Sequence, residues 1–197
     1  MNTHTETTHG NTPELSRRGF LFNSLGATLS ATAVALLAGR PSLLHAGGAP
    51  AAAANGDIRI LNTALAAERE AVAAYQLGAE SALLNRDVLK VAIKFQDHHK
   101  AHADLLGSTI RTLGGEPAEP PDRYNFPTSA LRQQNDVLSF AAGLERGAVS
   151  AYAGAIPLFA ERDLSKAAAS ILADEAMHWA ILRQVLGMDP VPDAFYS

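Results

Sequence analysis

Cysteine is absent from the 197 residues. That excludes disulfides, thiolate metal ligands and thiol catalysis, so any bound metal must be held through oxygen and nitrogen. Aromatic residues are scarce at 6%, and β-branched residues are few, whereas alanine is abundant. This balance suits close-packed helices better than sheets. A basic surplus is missing too: 16 Lys and Arg stand against 20 Asp and Glu, for a net charge of −4. No basic stripe invites nucleic acid. The length suits one domain plus a leader rather than two large domains.

The leader is the first feature present. Residues 1–15 are polar; Ser16-Arg17-Arg18-Gly19-Phe20-Leu21 follows, opening a mildly apolar run to Gly39 that Gly26 and several Ser and Thr interrupt. This stretch resembles a twin-arginine export signal. The resemblance implies passage through the twin-arginine translocase as a folded protein and a periplasmic or otherwise exported location. An uncleaved signal would leave a membrane-anchored form, but Gly, Ser and Thr make a poor anchor in a run close to the ~20 residues that span a bilayer. Small residues between Ala46 and Ala54 offer cleavage sites. The expected division is 1–54 as a disordered signal and linker, and 55–197 as the folded domain with a C-terminal tail.

Helical periodicity begins at Asp57 and runs to about Ala82, with Leu61, Leu65, Glu68, Val72 and Tyr75 on one stripe. A turn over 83–87, with Asp87 as N-cap, leads to a second helix that stops at Gly114-Gly115. Its stripe holds Phe95, His99, His102 and Leu106. The four prolines between 114 and 128 cannot be helix interior. Ser129 is placed to cap a third helix, reaching about Phe159, whose stripe includes Leu138, Glu145, Val149 and Tyr152. A fourth helix is expected from Asp163 to Leu186, ending at Gly187. It carries Asp174-Glu175-Ala176-Met177-His178. Glu175 and His178 are one helical turn apart on one face, a spacing that lets both grip one ion.

The chain repeats itself. Glu68-Arg69-Glu70-Ala71-Val72-Ala73-Ala74-Tyr75 aligns with Glu145-Arg146-Gly147-Ala148-Val149-Ser150-Ala151-Tyr152, and His99 and His102 align with Glu175 and His178 at nearly the same offset. Two hairpins of one plan are implied. Counting from the turns at ~1.5 Å per residue, Glu68, His99, His102, Glu145, Glu175 and His178 meet at one height. Buried without partners they would destabilise the bundle by several kcal/mol, so a cation is the expected partner. A linker that can extend to ~50 Å at about 3.3 Å per residue points to a long crossover between the hairpins.

Taken together, residues 57–187 resemble the ferritin-like superfamily, whose di-metal sites use a Glu from each of two helices and a Glu-x-x-His from each of the other two. The group of exported ferritin-like-domain proteins, rubrerythrin-like and desiccation-related, is the nearest in plan. The resemblance implies an all-α four-helix bundle of two duplicated hairpins joined by a long crossover. It also implies a dinuclear iron site, with manganese as the alternative, held by Glu68, His99, His102, Glu145, Glu175 and His178. The implied chemistry is redox or metal and oxidative-stress chemistry on dioxygen, peroxide or ferrous ion, and the implied partners are metal ions and small oxidants; a homodimer is allowed. A non-catalytic stress or desiccation protein with a degenerate or single-metal site is the alternative. One position departs from the pattern: His99 stands where a second bridging glutamate belongs, and an imidazole cannot bridge as a carboxylate does. Asp174 resembles an aspartate that hydrogen-bonds the opposite histidine, here His102, and His98 is its counterpart in the first hairpin. Tyr75 and Tyr152, seven residues after the glutamates, lie on the site's face as supporting or packing groups. No catalytic residue is singled out.

Overall fold

The computed structural model describes residues 50–195; the twin-arginine motif and residues 1–49 of the leader lie outside them, while residues 50–54, expected as disordered linker, are helical. Four helices form the architecture, with no strand among the described residues: α1 (Pro50–Glu80), α2 (Arg86–Thr112), α3 (Gln134–Ala155) and α4 (Arg162–Val185). The pairs α1–α2 and α3–α4 pack as the two hairpins, and α1 meets α3 across the bundle. No described helix is long and apolar enough to cross a membrane.

Helix boundaries differ from the sequence reading at several ends, each for a local reason. α1 starts at Pro50, not Asp57, because the alanines after the proline are strong helix formers. Asp57 instead turns inward, and its carboxylate accepts the backbone N–H groups of Ala160 (2.9 Å) and Glu161 (3.2 Å) at the start of α4. The cap of α2 is Asn85, whose side chain accepts from the Asp87 and Val88 N–H groups. Asp87 sits in the first turn, where its charge faces the helix dipole. α3 begins at Gln134 rather than after Ser129, which lies in a short 3-10 turn; Gln133 and Asp136 form its capping box. At its far end Pro157 sits in a second 3-10 turn, Ile156–Leu158.

The crossover is long, as expected. Gly114 adopts a left-handed φ of 80°, and a Cβ on Gly115 would come within 2.8 Å of Ile58. The chain is thereby laid against the beginning of α1. Asn62 then clasps it through Glu116 O (3.0 Å) and the Ala118 N–H (2.6 Å), and the Arg69 guanidinium donates to Ala118 O. At the other end of α1, the Asn85 N–H donates to the Gln134 side chain at 2.9 Å. The linker therefore travels the length of the bundle, which makes α2 and α3 parallel.

Two apolar plugs fill the interior. Leu61, Leu65, Leu106, Ile110 and Ile171 form one, and Phe95, Leu138 and Leu182 form the other, with Trp179 packed on its edge. Each helix passes from one plug to the other through a polar level. Residues Glu68, His99, Glu145, Glu175 and His178 are buried there, cut off from water at both ends by hydrocarbon.

Candidate metal centre

Every helix supplies one or two side chains to that level. Glu68 comes from α1, His99 and His102 from α2, Glu145 from α3, and Glu175 and His178 from α4. All six side chains expected to converge do so. Glu175 is fully buried at 0% exposure and lies between two clusters of donors. One cluster is Glu68, His99, His102 and Glu175; the other is His99, Glu145, Glu175 and His178; within each, the ligand atoms lie within 4.8 Å of one another. Glu175 and His99 belong to both.

The distances define the arrangement. His102 Nδ1 approaches Glu175 Oε1 (3.1 Å) and Glu68 Oε2 (3.5 Å). His178 Nδ1 approaches Glu145 Oε2 (3.5 Å) and Glu175 Oε2 (3.6 Å). His99 spans the middle, with Nδ1 2.8 Å from Glu68 Oε2 and Nε2 3.3 Å from Glu145 Oε1. Despite this crowding, His102 Nδ1, His178 Nδ1, Glu145 Oε2 and both Glu175 oxygens are buried without a hydrogen bond. Buried polar atoms are rarely left this way. Five such atoms, all on one level and all of metal-ligating type, fit cations held between them. The donor set of carboxylate oxygens and imidazole nitrogens suits Fe and Mn.

Without a cation the level balances its charge through the histidines. Burial pulls the His99 imidazole down, but the carboxylates of Glu145 and Glu68 outweigh it and push it up to about 11. The same contest, resolved by Glu175 with Glu68 and by Glu145 with Glu175, raises His102 and His178 each to about 9. Burial would raise Glu145, yet His178 and His99 hold its carboxyl well below the usual range.

The two tyrosines have a definite role. Tyr75 donates to Glu145 Oε1, and Tyr152 donates to Glu68 Oε1 at 2.6 Å. Each bonds the glutamate of the other hairpin. Burial first, and the facing carboxylate second, raise both phenols well above their ordinary value. They therefore stay O–H donors and fix the carboxylate rotamers. Asp174 makes more contacts than the single one expected: its Oδ2 lies 3.4 Å from His102 Nε2, 3.3 Å from His178 Nε2 and 2.9 Å from His98 Nδ1.

Sequence reasoning missed two features. Asp57, the buried cap between α1 and α4, carries no local signal. A small apolar cavity of about 40 Å³ also went unseen; it reaches Glu68, His99 and Glu145 between walls that include Ala64, Ala67, Ala71, Ala148, Ala151 and Ala155. Its signal was available, because the first helix of each hairpin carries alanines at the same i, i+3, i+7 spacing.

A profile of the ferritin-like domain matches residues 56–188. The chain belongs to the ferritin-like domain family. Among solved structures it is similar to a ferritin-like, diiron-carboxylate protein from Bacillus anthracis: 25% identity over 68% of this chain and 97% of that one, at a TM-score of 0.58. A conserved hypothetical protein from Mycobacterium tuberculosis shares the fold, with 21% identity, 73% and 99% coverage and a TM-score of 0.63. A mycobacterial bacterioferritin does so at 21% identity, 71% and 85% coverage and a TM-score of 0.58. No curated protein matches the chain. Fold, family and the buried Glu/His clusters support a metal-binding ferritin-like protein.

Proposed function

We propose that this ferritin-like protein is a dinuclear iron protein that reduces a small oxidant, dioxygen or peroxide, or oxidises ferrous ion. The observation that carries the reading is the set of five buried ligand atoms around Glu175 that make no hydrogen bond. Glu68 and His102 would hold one ion, Glu145 and His178 the other, and Glu175 both, with His99 alongside. A bound iron pair would supply the electrons; manganese fits the same donors.

The chain's own residues set the conditions for that chemistry. Tyr75 and Tyr152 lock the two terminal glutamates. Asp174 stands behind the rings of His102 and His178, its Oδ2 3.4 and 3.3 Å from their outer nitrogens, the place from which carboxylates orient metal-bound histidines. The plugs of leucine, isoleucine and phenylalanine exclude bulk water. The alanine-walled cavity that ends on Glu68, His99 and Glu145 has the size and polarity for a diatomic oxidant rather than an organic substrate.

Stopped-flow mixing of the anaerobic ferrous-loaded protein with dioxygen, and separately with peroxide, tests the reading. Rapid optical change with consumption of oxidant is expected; a ferrous form as slow to oxidise as free ferrous ion would overturn it. One observation favours a second reading, a non-catalytic stress protein: three imidazoles face three carboxyl groups, so the metal-free level is internally compensated. Such a protein, purified as exported, would carry less than about 0.2 equivalents of any transition metal where a working site carries about one or two.

Export rests on the Ser16-Arg17-Arg18-Gly19-Phe20-Leu21 motif, and the proposed destination is the periplasm or beyond. A reporter fused after residue 54 should be exported with the native pair and retained when both arginines are changed to lysine.

A further inference from the structure

At one edge the polar level opens toward solvent. His98 on α2 and Asp174 on α4 stand there with side chains 35% and 21% exposed. Together with His178 they form a third group of metal-ligating atoms within 4.8 Å of one another. His98 Nδ1 lies 2.9 Å from Asp174 Oδ2 and 3.0 Å from His178 Nε2, and Asp174 Oδ2 lies 3.3 Å from that same Nε2. The opposite nitrogen of His178 faces Glu145 and Glu175. One imidazole therefore shows a nitrogen to each side of the boundary.

We propose that His98, Asp174 and the Nε2 of His178 form an outer receiving site for a single divalent transition-metal cation, which passes from there to the inner side of His178. The inference rests on the metal-binding reading above. Two imidazole nitrogens and one carboxylate oxygen suit a first-row divalent ion. Three protein donors at a half-exposed edge leave the remaining positions to water, so an incoming hydrated ion can exchange water for protein ligands in stages. A neutral imidazole has a single free lone pair. His178 therefore serves an outer ion or an inner one, but not both. That exclusivity makes the outer site a station that empties as the inner site fills. It also explains why His98, the one histidine of the level that faces none of the buried glutamates, lies against Asp174 and His178. Once the inner ion is in place, Asp174 receives the freed N–H of His178.

The plain competitor is that His98 and Asp174 only orient the inner histidines. Cobalt(II) separates the two when added in stopped flow to the whole metal-free chain, wild type and the variants His98→Ala and His98→Gln, with visible absorption and final equivalents both recorded. Gln keeps a polar contact to Asp174 while removing the imidazole nitrogen, and circular dichroism checks folding. The expected result is a fast, saturable phase preceding the main one in wild type. That phase should vanish in both variants, with inner loading slowed about tenfold and the final equivalents retained. Single-phase loading at one rate in all three proteins would overturn the outer site while leaving the inner one intact. So would a fall in final equivalents at unchanged rate, which is the signature of orientation alone. Failure of wild type to bind cobalt at all would remove the inner site and this proposal with it.

Discussion

The two hairpins present the same five places in different chemistry. The first offers Glu68, Tyr75, His98, His99 and His102; the second offers Glu145, Tyr152, Asp174, Glu175 and His178. Glutamate, tyrosine and the last histidine agree. The two differing places both exchange imidazole in the first hairpin for carboxylate in the second. Each hairpin supplies one group common to both inner clusters, His99 from the first and Glu175 from the second, but only the second adds Asp174, whose Oδ2 meets three imidazoles. Duplication copied the positions; the residue at each position decides which half carries the charge.

The strongest way to break this comparison is to neutralise one buried carboxylate in each hairpin. Glu175→Gln should weaken metal binding by at least about 100-fold at both inner positions, since a lost orienting contact alone costs 10–100-fold. Glu68→Gln, which serves one cluster, should leave about half of the metal bound. Equal losses by calorimetry and metal analysis would mean the halves are not distinguished as described. Removing the difference sharpens it further. His99→Glu makes the hairpins alike at the buried differing place, and affinity for the second cation should rise by about tenfold, while the metal-free protein loses stability as a fourth carboxyl joins the buried level. Unchanged affinity and stoichiometry would put His99 outside the ligand set.

The histidines give a smaller, pH-dependent effect with opposite signs in the two states. In the metal-free protein their values are raised from 6.5 to about 9 for His102 and His178 and to about 11 for His99. Their stabilisation is therefore complete below 6.5 and lost as pH rises through 9 and beyond. On the acid side Glu145, held below its ordinary 4.5, stabilises above that value and less as pH falls. Metal ligation needs neutral imidazole, so binding strengthens as pH rises from 6.5 to 9 and releases protons. The gap in Tm between loaded and metal-free protein should widen over that interval; a constant gap in thermal scans would contradict the protonated level. Tyr75→Phe and Tyr152→Phe should each destabilise the metal-free protein by about 1.5–3 kcal/mol in denaturant melts. Clearly unequal values would mean the crossed tyrosine contacts are not equivalent.

Much of this was legible in the sequence because a buried polar residue interrupts an apolar stripe at a countable place. The heights of Glu68 and Glu145 above their turns follow from helical rise alone. The long crossover follows from four prolines and the reach of the linker. Helix ends were less legible: Asn85 and Asp87 are both competent caps, and only the path of the turn, with Ala82 at a left-handed φ of 58°, selects Asn85. Asp57 could not be read, since its partners at 160 and 161 are brought to it only by the closed bundle. The crossing of each tyrosine to the other hairpin's glutamate depends on that same closure.

The most direct measurement is anaerobic titration of the metal-free whole chain with ferrous ion, with elemental analysis of the product. Saturation at about one to two equivalents, abolished by Glu175→Gln in a protein that keeps its helical circular dichroism, is the expected result. Binding below about 0.2 equivalents, or binding indifferent to Glu175, would contradict a buried level built around a cation.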